Sequence, residues 1–227
     1  MVEQATKRYQ SITESTGFML AVTTLGGFLN SYTYATRDGV FANMHTGNMT
    51  RLGISLADGA WAEAGTYLAA IVAAILGALF CEGMKRRTAG RGFGNWQRNL
   101  LAVQFVLLFA AGLIPSGWQN LLVTCAFSFL AESLLAMFGK WEGRGHSVTI
   151  CTGNLRNFGQ YLYPVIFERT PEALRTAGLY GLLVASFAFG AGVGIPICRA
   201  LGTYAAWVGC AVLAVLFLAI RREDRAN

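Results

Sequence analysis

The chain has 227 residues, of which 54% are hydrophobic and only 13% are charged. A soluble domain of this length cannot bury so much apolar surface, so the composition excludes an ordinary soluble protein and predicts an integral membrane protein. The formal net charge of +6 does not indicate a nucleic-acid partner, because the basic residues gather at the ends of hydrophobic segments.

Six hydrophobic segments are each close to the ~20 residues that an α-helix needs to cross a bilayer. We expect the first to be retained in the membrane, since no cleavage signature follows it. The chain is therefore predicted to be an all-α membrane protein. The predicted spans are roughly 17–36, 62–83, 98–115, 118–138, 173–197 and 202–220.

Two polar segments carry the same motif, Thr-Gly-Asn, at the same point of each half of the chain. Thr152 begins the second copy 106 residues after Thr46 begins the first, and the same shift aligns the spans that follow. Such duplication is typical of membrane transporters and channels. The predicted repeats are residues 1–116, with the polar segment 41–57, and residues 117–227, with the polar segment 146–163.

The charges of the loops decide whether the polar segments cross the membrane. If neither crosses, both termini and the basic loops 85–98 and 140–144 fall on one face, as the positive-inside rule requires. An eight-span arrangement breaks that rule. We therefore predict six spans, both termini in the cytoplasm, and two inverted halves of three spans each. The polar segments then become re-entrant or broken helices that enter from opposite faces.

Each Thr-Gly-Asn motif stands where a half-helix could begin. Threonine is a good N-cap, glycine permits close approach, and asparagine bonds to backbone or ligand. A helix N-terminus favours an anionic or polar solute, and an arginine follows each motif by about one turn. Alternatively, the motif is a helix-breaking turn that lets the halves pack, with the arginines reaching headgroups. The candidate solute-binding residues are Thr46, Gly47, Asn48, Arg51, Thr152, Gly153, Asn154 and Arg156.

Glu132 lies inside an otherwise apolar span. A carboxylate there needs a partner or a proton. It is either a proton-coupling or cation site, or a structural ion pair with Arg51 or Arg156. Asn30, at the polar end of the first span, and His45, beside the first motif, are further candidates for gating or coupling. A hydrogen-bonded structural histidine is the alternative for His45.

Metal and cofactor sites are not expected. The five cysteines have no Cys-x-x-Cys spacing, and the chain has only two histidines.

Small residues at four-residue spacing, Gly190 and Gly194 in one span and Gly77 in another, predict that these spans pack closely as a scaffold.

The first 55 residues carry a glycine-rich first span, from Gly26-Gly27-Phe28-Leu29 to Asn30, then Gly39-Val40-Phe41, and the motif between His45 and Gly53. In these features the chain resembles the YoaK family of bacterial integral membrane proteins. The resemblance implies six spans and a bacterial inner-membrane location, and it implies no particular substrate. Many relatives carry aspartate where this chain has Asn30, so an acidic role at that position is not expected.

Together these features predict a small transporter that moves a small polar or anionic solute between the two motifs. A channel of the same architecture and a non-transporting membrane subunit or assembly factor are the alternatives. An enzyme is not expected, because the chain has no nucleophile motif and no nucleotide-binding loop. The expected partners are the lipid bilayer and the solute, with a homo-oligomer left open.

Overall fold

A computed structural model describes residues 11–88, 93–141, 144–145 and 151–226. Within these ranges the chain is almost wholly helical, which confirms the predicted all-α class. Two short 3-10 helices, Ile12–Glu14 and Gly202–Ala205, precede α1 and α8, and a small antiparallel ladder pairs β1 (Lys140–Trp141) with β2 (Arg144–Gly145). The described α-helices are α1 (Thr16–Thr36), α2 (His45–Ala57), α3 (Trp61–Arg87), α4 (Phe93–Leu113), α5 (Asn120–Phe138), α6 (Cys151–Phe167), α7 (Pro171–Leu201) and α8 (Ala206–Ala226).

Several helices are long and apolar enough to cross a membrane. In the described part of the chain these stretches are Trp61–Arg87, Trp96–Leu113, Asn120–Phe138 and Pro171–Arg225, the last containing both α7 and α8. They support the membrane class that the composition predicts. α1 is missing from this set because its second half is polar, and those polar side chains are buried inside the bundle. They are Asn30, Ser31, Tyr32 and Thr33.

α1 packs along its length against α7, and the two helices run in the same direction. Glycines make this possible, because a methyl group in their place would collide with the facing helix. Gly77 of α3 likewise lies against the backbone of Phe129 in α5. The glycines predicted to form a scaffold thus lie at close helix contacts. The α1–α7 approaches pair Thr24 with Gly190, Gly27 with Ala191, and Ser31 with Gly194.

The helices terminate at two opposite ends of the bundle. At the end that we call the basic end, the Ile12 amide donates to Glu223 at 2.7 Å, and Arg98 pairs with Asp224 at 2.8 Å. The starts of α1 and α4 therefore lie beside the end of α8, so both described ends of the chain share this side. The opposite end, which we call the turn end, carries the α4–α5 turn and the 3-10 helix after α7.

α1 and α5 cross in opposite directions. Phe18, near the start of α1, meets Phe138 at the end of α5, with ring centroids 4.9 Å apart. Tyr32, near the end of α1, stacks on Phe127 in the first half of α5 at 4.7 Å. The two aromatic pairs lie above and below the middle of the bundle.

α2 and α6 are short and lie in opposite halves of the bundle. α2 runs beside the first part of α3, since Arg51 bonds to Tyr67. It therefore leads to the turn end, where α3 begins. α6 runs beside the first part of α7, where Phe158 lies against Gly181, and it leads to the basic end. The first five residues of the predicted polar segment 146–163 lie outside the described residues.

Replacing Gly190 with alanine should destabilise the α1–α7 contact. The new methyl group would collide with the Thr24 carbonyl oxygen, whereas a methyl at Gly192 in the same helix meets nothing within 4 Å. We expect Gly190→Ala to lower the free energy of unfolding by ~1–3 kcal/mol. Gly192→Ala, the matched control, should be neutral or slightly stabilising. Thermal unfolding in detergent measures both, and equal stability of the two variants would contradict the proposed close packing.

Candidate functional site

The segment between α1 and α2, residues 37–44, turns back into the bundle. The Asn43 side chain donates to the Gly26 carbonyl at 3.2 Å, and its backbone amide donates to the Asn30 side chain at 3.0 Å. Gly26 and Asn30 lie in the middle of α1, so the chain leaves α1 at the turn end and returns to its centre. α2 then begins at His45, inside the bundle. Non-helical backbone at membrane depth is stable only when protein or a wet cavity surrounds it, and Asn43 is 1% exposed.

Glu132 of α5 faces His45 at the start of α2. The distance between Oε1 and Nε2 is 3.5 Å, and the two side chains are 17% and 18% exposed. Sequence analysis selected both residues for coupling or gating, without placing them together. In the described part of the chain neither Arg51 nor Arg156 pairs with Glu132, so the ion pairs considered as the structural alternative are replaced by a contact with histidine.

The His45–Glu132 pair can hold a proton in more than one arrangement. Neither ring nitrogen of His45 has a well-formed hydrogen bond, although the carboxylate lies nearby. The carboxylate also lies near the N-terminal end of α2, where the helix dipole favours negative charge. The pair can therefore exist as a neutral acid beside a neutral imidazole or as an ion pair. Within the described residues no group of three or more His, Cys, Asp or Glu side chains could hold a metal ion.

Asn48 holds the returning segment onto α2. Its side-chain nitrogen donates to the Phe41 carbonyl at 2.8 Å, and its oxygen accepts from the Phe41 amide at 3.4 Å. The side chain is fully buried, as is that of Asn154 at the equivalent position of α6. These contacts give Asn48 the role of a structural turn residue. Its role in solute binding stays a prediction.

The threonines of the two motifs do not cap their helices. α2 begins two residues earlier than expected, at His45, and Met44 is its N-cap without any side-chain hydrogen bond. α6 similarly begins at Cys151, so Thr152 lies within its first turn. The N-cap assignment of Thr46 was therefore wrong, because the Met44 carbonyl already accepts from the Asn48 amide and extends the helix backwards. Thr46 and Thr152 are exposed, and Gly47 and Gly153 are half-buried.

Arg51 also secures the returning segment. It donates to the Gly39 carbonyl at 3.1 Å and to the Tyr67 hydroxyl at 3.4 Å, and it lies over the rings of Phe41 and Tyr67. Arg156, the corresponding arginine of α6, is exposed. The two arginines thus differ in surroundings, and Arg156 is the one whose side chain is accessible.

Sequence analysis missed Arg37, which is fully buried at the end of α1. It follows the first predicted span, where an arginine ordinarily reaches solvent or headgroups. No local pattern distinguishes it from such a residue, because all its hydrogen-bond partners except Tyr32 come from elsewhere in the chain. These lie at the end of α4, in the turn between α4 and α5 and at the start of α5, more than 70 residues away in sequence.

Residues 18–219 match a family described as "Protein of unknown function (DUF1275)", and the chain belongs to that family. The predicted membership of an uncharacterised family is confirmed in this form, while the name YoaK family stays a prediction. No curated protein and no solved structure matched the chain.

Asn48→Ala should destabilise the protein, because the buried backbone of Phe41 would lose its partner. Leaving a buried polar group unpaired costs ~1–3 kcal/mol. Met49→Ala is the matched control, since Met49 is the next residue of α2 and is 55% exposed. Unfolding in detergent should separate the two variants. If Asn48→Ala unfolds like the control and loses only solute transport, the main role of Asn48 is to bind solute and not to hold residues 37–44 in place.

Proposed function

We propose that this member of the DUF1275 family is a small transporter that carries a small polar or anionic solute across the bacterial inner membrane. The observation that carries the proposal is the helix interruption at residues 37–44, which brings His45 to within 3.5 Å of Glu132 inside the bundle. Retaining a carboxylate at this depth is costly, and such residues mark ion, proton or solute pathways. Interrupted helices that meet near the membrane midplane are the usual binding sites of secondary transporters.

The proposed architecture has six crossing helices, α1, α3, α4, α5, α7 and α8, with α2 and α6 as half-helices. Its support is the way the helices pair. α1 packs with α7, and α3 packs with α5. In the two repeats α1 corresponds to α5, and α3 corresponds to α7. The pair α1–α7 in one direction is therefore equivalent to the pair α5–α3 in the other. The pairs α2–α3 and α6–α7 exchange in the same way.

The opposite directions of corresponding helices support an inverted relation between the halves. α1 and α5 occupy the same place in the two repeats, and their aromatic contacts run in antiparallel order. α4 and α8 also correspond and are antiparallel, since Arg98 meets Asp224 at one end and Phe109 stacks on Trp207 towards the other. α2 leads to the turn end and α6 to the basic end, as two half-helices related by inversion would.

The two half-helices offer different chemistry to a solute. The start of α2 already faces the Glu132 carboxylate. In α1, the position that corresponds to Glu132 is Gly26, so the start of α6 has no carboxylate from this position. We assign the anionic or polar group of the solute to the N-terminus of α6, near Gly153 and Asn154, and the coupled proton to the His45–Glu132 pair.

A carrier is favoured over the alternative of a channel because aromatic pairs lie between α1 and α5 on both sides of the site. A continuous pore would need both contacts to be open at once. A non-transporting subunit remains the second candidate, and it would leave the His45–Glu132 pair without a transport role. The protein is not proposed to be an enzyme.

We place the basic end of the bundle in the cytoplasm. It carries the ends of α3 and α8, with Arg87 and Arg222 among their basic residues, and the positive-inside rule then puts both chain termini on that face.

Cysteine labelling tests this topology. In a chain whose natural cysteines are replaced, Arg87→Cys at the basic end and Trp118→Cys at the turn end should react with a membrane-impermeant maleimide from opposite faces. Trp118 is 89% exposed, so its reporter should label readily from outside the cell. Labelling of both positions from one face would remove the six-span arrangement and the inversion with it.

Solute flux tests the function. The purified protein in proteoliposomes would be given a panel of labelled amino acids, small organic acids and inorganic anions, with and without a pH gradient. For a solute that accumulates, Glu132→Gln should abolish accumulation driven by the pH gradient while leaving downhill exchange, because glutamine keeps the shape of the neutral acid but has no exchangeable proton. Glu82→Gln is the control, since Glu82 pairs with Lys85 and Arg86 at the end of α3.

Two outcomes would count against the proposal. Absence of flux for the whole panel favours the subunit alternative. Unchanged pH dependence in Glu132→Gln, together with unchanged stability, would leave Glu132 without a role in coupling.

A further inference from the structure

Arg37 is surrounded by hydrogen-bond acceptors at the turn end of the bundle. Its Nη1 donates to the Pro115 carbonyl and to the Asn120 side chain, both at 3.1 Å. Its Nη2 donates to the carbonyls of Ala111 at 3.0 Å and Ile114 at 2.8 Å, and to the Tyr32 hydroxyl at 3.0 Å. We call these residues the Arg37 cluster. They tie the end of α1 to the end of α4 and the start of α5.

Tyr32 extends the Arg37 cluster to a fourth helix. Its hydroxyl accepts from Arg37 and donates to the carbonyl of Thr203, in the 3-10 helix that follows α7, at 3.0 Å. Its ring stacks on Phe127, which closes the space between α1 and α5. A single guanidinium, directly and through Tyr32, therefore links four elements at the turn end: α1, α4, α5 and the 3-10 helix after α7.

The charge of Arg37 is met by neutral groups. In the described chain no carboxylate lies within ion-pair distance of it, and the link to Asp38 runs through Asn120, whose side chain donates to the Asp38 carboxylate at 2.9 Å. Carbonyls at the C-terminal end of a helix suit a cation, because the helix dipole is negative there. The Nε of Arg37 has no partner. Among the described residues the cluster contains no ion pair with Arg37 that must be broken to release the guanidinium.

A cavity of about 300 Å³ lies at the opposite, basic end of the bundle. Its lining includes Thr13, Lys85 and Trp96, together with Ala136 and Phe138 from the last turn of α5. The Phe18–Phe138 contact lies between this cavity and the middle of the bundle. The cavity at the basic end thus stops at an aromatic contact, whereas the Arg37 cluster closes the turn end.

We propose that Arg37 is the positioning residue that closes the solute path at the turn end. Opening the turn end requires the guanidinium to leave the α4–α5 turn, which frees Tyr32 to separate from Phe127. This inference rests on the proposed transport function, to which it adds a gate.

A natural cysteine reports on this gate. Cys198 belongs to the same buried cluster as Tyr32 and lies one turn before the end of α7, with 4% exposure. Cys210 also lies near the turn end, one turn into α8, so it is not a control. Cys81 is equally buried but lies in the last part of α3, towards the basic end, and serves as the control thiol. In membrane vesicles, a membrane-impermeant maleimide applied from the turn end would be followed at each cysteine by mass spectrometry.

Tyr32→Phe removes the hydroxyl that Arg37 and Thr203 share and keeps the stacked ring. Loss of one hydrogen bond to a charged group should raise the labelling rate of Cys198 about ten-fold, with a larger rise in Arg37→Lys, which cannot reach all the acceptors. Tyr34→Phe is the matched control, because Tyr34 is an exposed tyrosine of the same helix outside the Arg37 cluster. It should label like the natural chain, and Cys81 should not change in any variant.

Two results would overturn the inference. One is an unchanged labelling rate of Cys198 in both Tyr32→Phe and Arg37→Lys. The other is an equal rise at Cys198 and Cys81, which would mean that Arg37 stabilises the whole bundle and controls no gate. The measurement needs no solute, so its failure is separate from a failure to find flux.

Discussion

Backbone that leaves a helix inside a membrane must find its hydrogen bonds within the protein, because hydrocarbon offers none. In this chain that constraint falls on residues 37–44, and polar side chains on both sides of the segment meet it. Asn30 and Asn43 bond it to the middle of α1, and Asn48 bonds it to α2. Arg51 bonds it from the outer side through Gly39. The position of His45, and hence its contact with Glu132, depends on these bonds.

The same constraint explains why part of the site could be predicted from sequence. The spans follow from runs of apolar residues, and the ends of α1, α3 and α5 lie within a few residues of the predicted ones. Glu132 and His45 are recognisable as unusual because polar groups at this depth are costly. Their contact is not predictable in this way, since it depends on how far the returning segment enters the bundle. That distance is set by the contacts between Asn43 and α1.

Two errors in the sequence interpretation have a common cause. Thr46 was expected to cap α2, and Arg51 was considered a partner of Glu132. Both expectations inferred the partner of a side chain from its residue type alone. In the structure the Met44 carbonyl accepts from the Asn48 amide, so the helix begins earlier. Arg51 donates to the Gly39 carbonyl and the Tyr67 hydroxyl. Arg37 was missed for the converse reason, because its acceptors are supplied by a distant turn.

Arg37, which is fully buried, and Glu132, which is half-buried, have different surroundings, and the difference gives the proposed mechanism its asymmetry. Arg37 is always charged and is held by neutral oxygens that remain in place while the turn end is closed. Glu132 is a carboxyl group, so its charge changes when it gains or loses a proton, and the His45 imidazole beside it can also bind a proton. Only the second group can respond to protons, and only the first links α1, α4 and α5 at the turn end. In the proposed mechanism, a proton that binds Glu132 removes a negative charge at the start of α2, which is the end of the segment that begins at Arg37. In that mechanism, residues 37–44 connect protonation at the centre to the gate at the turn end.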